Sequence, residues 1–93
     1  MKANEIKGKG PVDTITLKVT YKDIIRDVRG GELKVCDVTG EDDTGKITVS
    51  LWNDDIAKVE VGNTITIVKG WANEFQGRIS VSAGKFGTLE VTE

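Results

Sequence analysis

The sequence predicts an all-β fold, in the form of a single small barrel of five strands with at most one short helical turn. Apolar and polar residues alternate in several short runs, which is the pattern of strands that bury one face. Turn-forming residues such as glycine, asparagine and aspartate separate these runs. A chain of 93 residues is the size of one domain with one core. Five strands with one short connector between the third and the fourth, and a last extended segment, fit a small barrel better than a sandwich.

The first strand is predicted over residues 14–21, where alternate apolar side chains define a buried face. These side chains are Ile15, Leu17, Val19 and Tyr21. A flexible break follows at 26–31 and contains the glycine pair at 30–31, after which residues 32–39 resume an extended pattern. The alternation in this second strand slips near Cys36, which predicts a bulge there.

The second and third strands are predicted to form a hairpin. Residues 42–45 have the chemistry of a tight turn, and the alternating third strand follows at 46–52. The next stretch has room for one helical turn at 56–59. The fourth strand is predicted at 64–72, and a hairpin loop at 73–77 leads into the fifth strand at 78–83. A last extended segment follows at 88–91.

These elements place one domain at 12–93, preceded by a loosely ordered N-terminal arm at 1–11. The arm carries lysines and no apolar run, so it resembles neither a signal peptide nor a membrane span. We therefore expect a cytoplasmic protein that does not contact a membrane.

The absence of histidine and the presence of a single cysteine exclude most enzyme classes. Zinc sites and histidine-activated nucleophiles need residues that this chain lacks. A carboxylate metal site is conceivable at Glu41–Asp43 or at Asp54–Asp55, but consecutive acids on a turn are more often a solvated loop. We therefore predict no enzyme activity, no metal and no cofactor, with Cys36 as a buried structural thiol.

The net charge of −2 argues against a nucleic-acid ligand, because neutralisation of phosphates supplies much of such affinity. The distribution of charge weakens this objection, since nine acids fall in or beside predicted turns and strand ends. They are Glu32, Asp37, Glu41, Asp42, Asp43, Asp54, Asp55, Glu60 and Glu74. A binding face elsewhere on the barrel can therefore be locally basic.

Three aromatic residues occupy positions that a simple core does not require. Trp52 has the parity of the polar residues in the third strand, although it could also fold over the barrel edge as a plug. Phe75 lies in the loop among small and polar neighbours, although such a residue can tuck back into a core. Trp71 shares the parity of two upstream isoleucines unless Gly70 carries a bulge that reverses it. Each aromatic is therefore either a stacking surface or a core residue.

Basic residues accompany these aromatics, and sequence-tolerant binding of single strands requires both. Any base can stack on a flat aromatic face, while cations follow the phosphates. The candidate cations are Lys34, Lys46, Lys69, Arg78 and Lys85, with Arg26 and Arg29 in the first loop. Each one alone would be an ordinary solvated side chain, so only their grouping with the aromatics points to nucleic acid.

Four further motifs occur in order along the chain. They are a hairpin between the second and third strands, a Gly-Asn turn, an aromatic loop and a glycine-rich close with a basic residue, at Asp43–Asn53, Val61–Asn63, Gly70–Gly77 and Gly84–Gly87. In these motifs and their order the chain resembles archaeal replication protein A and related simple single-stranded DNA-binding proteins.

The resemblance implies an oligonucleotide-binding (OB) fold, which is a five-stranded Greek-key barrel. In this family Trp52, Trp71 and Phe75 match the stacking aromatics, and Arg78 and Lys85 match basic positions beside them. The implied function is sequence-tolerant binding of single-stranded DNA in replication, repair or recombination, by a nucleoid-associated protein.

Two alternatives remain open. An OB domain can serve as a protein-interaction or assembly module, in which case Trp71 and Phe75 would anchor an interface. It can also bind RNA, because a stacking surface does not by itself exclude a 2′-hydroxyl. Other OB domains or subunits of a replication protein A assembly are accordingly further candidate partners beside single-stranded DNA.

Overall fold

Seven strands and one short helix make up the regular structure in a computed structural model that describes residues 1–75, 77–83 and 87–92, apart from the side chains of Arg29 and Phe75. The elements are β1 (Gly10–Lys22), β2 (Arg26–Val28), β3 (Leu33–Asp42), β4 (Gly45–Trp52), α1 (Asp54–Lys58), β5 (Thr64–Phe75), β6 (Arg78–Ser82) and β7 (Thr88–Thr92). In this part of the chain no helix has the length and apolarity needed to cross a membrane.

Five of the strands close a barrel. β3 pairs antiparallel with β1 and β4, and β4 pairs in parallel with β6 through Thr48 opposite Ser80. β6 pairs antiparallel with β5, which returns to β1 and closes the ring. The order β1-β3-β4-β6-β5, with α1 between the third and fourth barrel strands, is the arrangement of an OB barrel. The predicted all-β, five-stranded fold is confirmed.

Two short strands extend the sheet beyond the barrel. β2 adds to β3, and β7 adds to the first half of β5, so that the second half of β5 is left for β6. The prediction of a flexible break at 26–31 is therefore wrong for Arg26–Val28, which form β2. A run of three residues is too short to show a period-two pattern in the sequence.

The core follows the predicted alternation, with two exceptions. Tyr21 was expected inside but is 59% exposed, because the pairing of β1 with β3 shifts register between Val19 and Tyr21. The bulge predicted at Cys36 is absent, since β3 pairs with β4 without interruption from Val35 to Asp42. The apparent slip arises because both Val35 and Cys36 are buried, one on each face of the strand.

The N-terminal segment packs against the turn between β3 and β4. Ala3 and Ile6 join the hydrophobic core, although the sequence predicts a loosely ordered arm over 1–11. The Ala3 amide donates to Oδ2 of Asp42 at 2.7 Å, and the Asn4 amide donates to Oγ1 of Thr44 at 3.1 Å. Two isolated apolar residues give no periodic signal, so this anchoring is not visible in the sequence pattern.

Candidate nucleic-acid interface

A shallow groove of about 520 Å³ runs across the outer faces of β3, β4 and β6, bordered by β2. Its volume lies within the range of ordinary ligand sites. Its lining alternates apolar, polar and basic side chains, namely Arg26, Val28, Val35, Asp37, Thr48, Ser50, Trp52, Arg78, Ile79 and Ser80. The groove therefore offers both flat apolar surface and hydrogen-bonding groups to a ligand.

Trp52 stands at one end of this groove, as the last residue of β4. It is 42% exposed and lies opposite Val35 of β3. The chain turns away at Asn53, whose φ of 50° ends the strand. The amide of Asn53 donates to the Lys34 carbonyl at 2.9 Å, and the Lys34 amide donates to Asn53 Oδ1 at 3.0 Å. These bonds hold the ends of β3 and β4 together, so Trp52 stays on the outer face.

Trp71 also lies on the outer surface, because the alternation of buried and exposed residues along β5 reverses just before it. Ile67 and Ala72 are both buried, whereas Trp71 is 39% exposed. The reversal occurs at Lys69, whose φ of 56° is left-handed, and at Gly70. A Cβ on Gly70 would lie 2.7 Å from the Ser82 carbonyl oxygen, so only glycine fits here. The indole N–H of Trp71 donates to Asn73 Oδ1 at 3.2 Å.

The register places Trp71 on the same outer face as the groove. Trp71 lies opposite Ser82 of β6, and the neighbouring Asn73 lies opposite Ser80, which in turn lies opposite Thr48 of β4. Two strand spacings of about 4.8 Å separate β5 from β4. Trp71 therefore stands roughly 10 Å sideways from β4, outside the groove itself.

The predicted loop residue Phe75 belongs to a strand. β5 continues to Phe75, which lies opposite Arg78 of β6, so the predicted loop at 73–77 is two residues long rather than five. The side chain of Phe75 lies outside the described structure, and so does the whole of Lys85. Their roles as a stacking surface and a phosphate contact remain predictions from the sequence.

The candidate cations fall into three places. Arg78 lines the groove, and Lys46 lies beside it on β4, where its Nζ is 3.7 Å from Glu41 Oε2. Lys69 accompanies Trp71. Lys34 instead lies at the end of the barrel near α1, against Ile25, Asn53, Ile56 and Ala57. The structure thus brings Arg78 and Trp52 into one groove and separates Lys34 from them.

An ion pair on the groove floor is not foreseen by the sequence analysis. Nη2 of Arg26 donates to Oδ2 of Asp37 at 3.1 Å, and the Ser50 hydroxyl donates to Oδ1 at 3.2 Å. Asp37 was assigned to a strand end, but it lies in the middle of β3. The signal available in the sequence is its parity with Val35, which places both on one face once the bulge is removed.

The acids at the hairpin tip are engaged by the N-terminal segment. Asp42 accepts hydrogen bonds from the Thr44 hydroxyl and from the backbone amides of Ala3, Thr44 and Gly45, and these bonds lower its pKa to about 2. Lys2 pairs with Asp43 at 2.8 Å. These carboxylates are therefore engaged within the hairpin tip and by the arm, and neither is among the residues that line the groove.

Metal and thiol chemistry receive no support from the described residues. No three of their His, Cys, Asp or Glu side chains are grouped as a metal ion would require. Cys36 is buried as predicted, its Sγ donates to the Asp23 carbonyl at 3.1 Å, and burial raises the pKa of the thiol. Its environment is therefore that of a structural residue.

The barrel order and the groove across its outer face define an OB-fold binding domain. The family model described as single-stranded DNA binding protein Ssb-like, OB fold, matches residues 11–91. The chain belongs to this family, and membership supports nucleic-acid binding in general.

Solved structures with the same fold come from plants and archaea. A hypothetical protein from Arabidopsis thaliana shares 22% identity over 99% of this chain and 72% of its own, with a TM-score of 0.82. A replication factor A related protein from Methanobacterium thermoautotrophicum shares 24% identity over 100% of this chain and 90% of its own, with a TM-score of 0.77. The second OB-fold domain of replication protein A from Methanococcus maripaludis shares 18% identity over 100% and 94%, with a TM-score of 0.63. The predicted resemblance to archaeal replication protein A is confirmed at the level of the fold.

Proposed function

We propose that this protein binds single-stranded DNA without strong sequence preference, as a non-enzymatic component of replication, repair or recombination in the nucleoid. The observation that carries the proposal is the half-exposed indole of Trp52 in a groove that also contains Arg26 and Arg78. Bases stack on the indole, and the two guanidinium groups contact phosphates that follow the groove.

The second half of β5 extends the binding surface sideways. Trp71 offers a second stacking face, with Lys69 beside it as a phosphate contact, and a strand that crosses β4, β6 and β5 passes both indoles. Lys46 lies next to Arg78 and adds a further positive charge at the other end of that path. Phe75 and Lys85 are retained as further proposed contacts on the strength of the sequence alone. Other OB domains or subunits of a replication protein A assembly are the proposed protein partners.

The expected affinity is modest. Two or three stacking contacts contribute about 1–3 kcal/mol each, and most of this gain offsets the entropy lost on association. The result is a dissociation constant of roughly micromolar size for one domain, over a footprint of about 4–6 nucleotides.

Fluorescence anisotropy with labelled probes tests the proposal. We expect saturable binding of an oligothymidylate, and much weaker binding of a duplex, because paired bases cannot reach the indoles. An RNA of the same length measures the preference for the sugar. Equal affinity for duplex and single strand at moderate salt would contradict the stacking model.

A further inference from the structure

We propose that Asp37, together with Arg26, forms a subsite in the groove that prefers guanine over the other bases. The inference rests on the proposed binding of single-stranded DNA and adds a base preference at one position of the strand. The motivating feature is a carboxylate on the floor of a surface that otherwise suits phosphates.

The contacts of Asp37 leave it able to accept further hydrogen bonds. A carboxylate has about four acceptor sites on its two oxygens. Among the described residues, Arg26 and Ser50 donate to one oxygen each. The side chain of Arg26 is mostly exposed, and its ion pair with Asp37 uses only the Nη2 nitrogen. Since a guanidinium carries about five N–H donors, others can bind a ligand. An acceptor and a donor therefore lie side by side, both open to the groove.

The subsite lies next to the stacking surface of Trp52. Trp52 is opposite Val35, and the next pair on the same face is Ser50 opposite Asp37. Two residues along a strand span about 6.5–7 Å. A base that stacks on the Trp52 indole can therefore direct its Watson–Crick edge to the Asp37 carboxylate.

Guanine matches this arrangement best because its Watson–Crick edge carries two adjacent N–H donors, at N1 and N2, beside the O6 acceptor. The carboxylate of Asp37 accepts from both donors, and a free N–H of Arg26 donates to O6. Thymine has one donor between two acceptors, so a carboxylate that accepts from the donor is repelled by the neighbouring carbonyl oxygen. Adenine and cytosine each offer one donor position with ring acceptors beside it, so they can make only one of the two contacts with Asp37.

The same carboxylate opposes binding through phosphates alone. Its negative charge repels the backbone, and it holds the guanidinium of Arg26 in an ion pair. A groove that contacted only the DNA backbone would bind DNA more tightly without the Asp37 carboxylate. This opposition gives the proposal a signature that a purely structural role of Asp37 does not share.

The experiment compares oligothymidylates of about six nucleotides, which match the expected footprint and limit alternative registers, and which carry one central guanine, adenine or cytosine or none. The full chain is titrated against each labelled probe by anisotropy at fixed salt. We expect the guanine probe to bind about five- to tenfold more tightly than the others, which is the order of one bidentate base contact. For Asp37→Asn we expect the four affinities to fall within about twofold of one another, with the unsubstituted thymidine probe bound more tightly than by the original chain.

Two further variants keep the test decisive. Asp27→Asn removes the same charge from β2 at a residue that does not line the groove, and should preserve the guanine preference. Arg26→Lys keeps the positive charge but loses the planar fork, and should reduce the ratio of guanine-probe to thymidine-probe affinity, whatever its effect on the phosphate contact that both probes share. If Asp37→Asn does not fold, the Arg26→Lys variant still tests the guanine subsite.

The outcomes separate this inference from the proposed function. If the original chain binds all four probes equally, the guanine subsite is wrong and single-strand binding stands. If Asp37→Asn folds and weakens every probe alike, Asp37 only maintains the shape of the groove. If no probe binds, the proposed function itself fails.

Discussion

The surroundings of the two tryptophans differ far more than their exposure does. Trp52 shares a groove with two arginines and a carboxylate, whereas Trp71 lies in a patch with one lysine, one aspartate and otherwise uncharged side chains. The residues of this patch are Met1, Pro11, Val12, Asp13, Lys69 and Gly70. The indole N–H of Trp71 is bonded to Asn73 on its own strand. Half-exposed indoles thus occur here both in a charged groove and on a mainly apolar patch, so exposure alone does not identify a base-binding residue.

The difference assigns unequal roles to the two indoles in the proposed complex. Around Trp52, stacking, phosphate contact and base recognition can act on the same nucleotide. Around Trp71, Lys69 is the cation that lines the patch, and the remaining lining is mainly apolar. We therefore expect Trp52 to contribute more to DNA affinity than Trp71 does.

The largest effect is expected for Trp52→Ala. The change should weaken binding of oligothymidylate by about 2–3 kcal/mol and leave the slope of log K against log salt unchanged, because stacking releases no counterions. Anisotropy titrations at several salt concentrations measure both quantities. Trp52→Phe is the matched control and should retain most of the affinity. If Trp52→Ala chiefly lowers the melting temperature and leaves the affinity intact, the indole is a plug of the barrel edge.

A smaller loss, of about 1 kcal/mol, is expected for Trp71→Ala in the same titration. Light scattering on the free protein and its oligonucleotide complex accompanies the measurement. An unchanged affinity together with the loss of a self-associated species would assign the Trp71 patch to protein assembly instead.

The charge of Arg78 should appear in the salt dependence more than in the affinity at low salt. Removal of one phosphate contact in Arg78→Ala reduces the slope by about 0.7. Lys34→Ala removes the same charge at a residue that does not line the groove, and should leave the slope unchanged. Equal changes in the two variants would show that net charge, rather than the groove, governs the salt dependence.

Asp42, which accepts a hydrogen bond from the N-terminal segment, should affect the stability of the fold at low pH. Of the residues considered, it should have the smallest effect on DNA binding. Hydrogen bonds hold the pKa of Asp42 at about 2 in the folded protein, below the value of about 3.9 for a free aspartate. A depressed pKa stabilises the fold above about pH 4, and this contribution is lost as the pH falls to about 2. Melting curves should therefore show a smaller acid-induced loss for Asp42→Ala than for the original chain. The same loss in both would mean that these hydrogen bonds do not lower the pKa of Asp42 in the folded protein.

Strand periodicity predicted the barrel strands, since the alternation in β1 and β4 reports directly which face is buried, and the family resemblance favoured their closure into a barrel. The helical turn predicted at 56–59 lies at Asp54–Lys58. The candidate interface was harder to predict from the sequence, because it depends on places where the strands depart from regular alternation. The exposure of Trp71 depends on the left-handed Lys69 beside Gly70, and the burial of Val35 depends on its cross-strand neighbours. The pairing of Arg26 with Asp37 joins residues from two strands, one of which is too short to show a pattern.

The most direct test of the account measures the fluorescence of Trp52 alone. Trp71→Phe removes the other indole, so that all tryptophan emission comes from the groove. We expect oligothymidylate to quench this emission with the same saturation curve as the anisotropy of the labelled probe, and a duplex to leave it nearly unchanged. Binding detected by anisotropy without any change in the emission of Trp52 would contradict the central claim that bases stack in this groove.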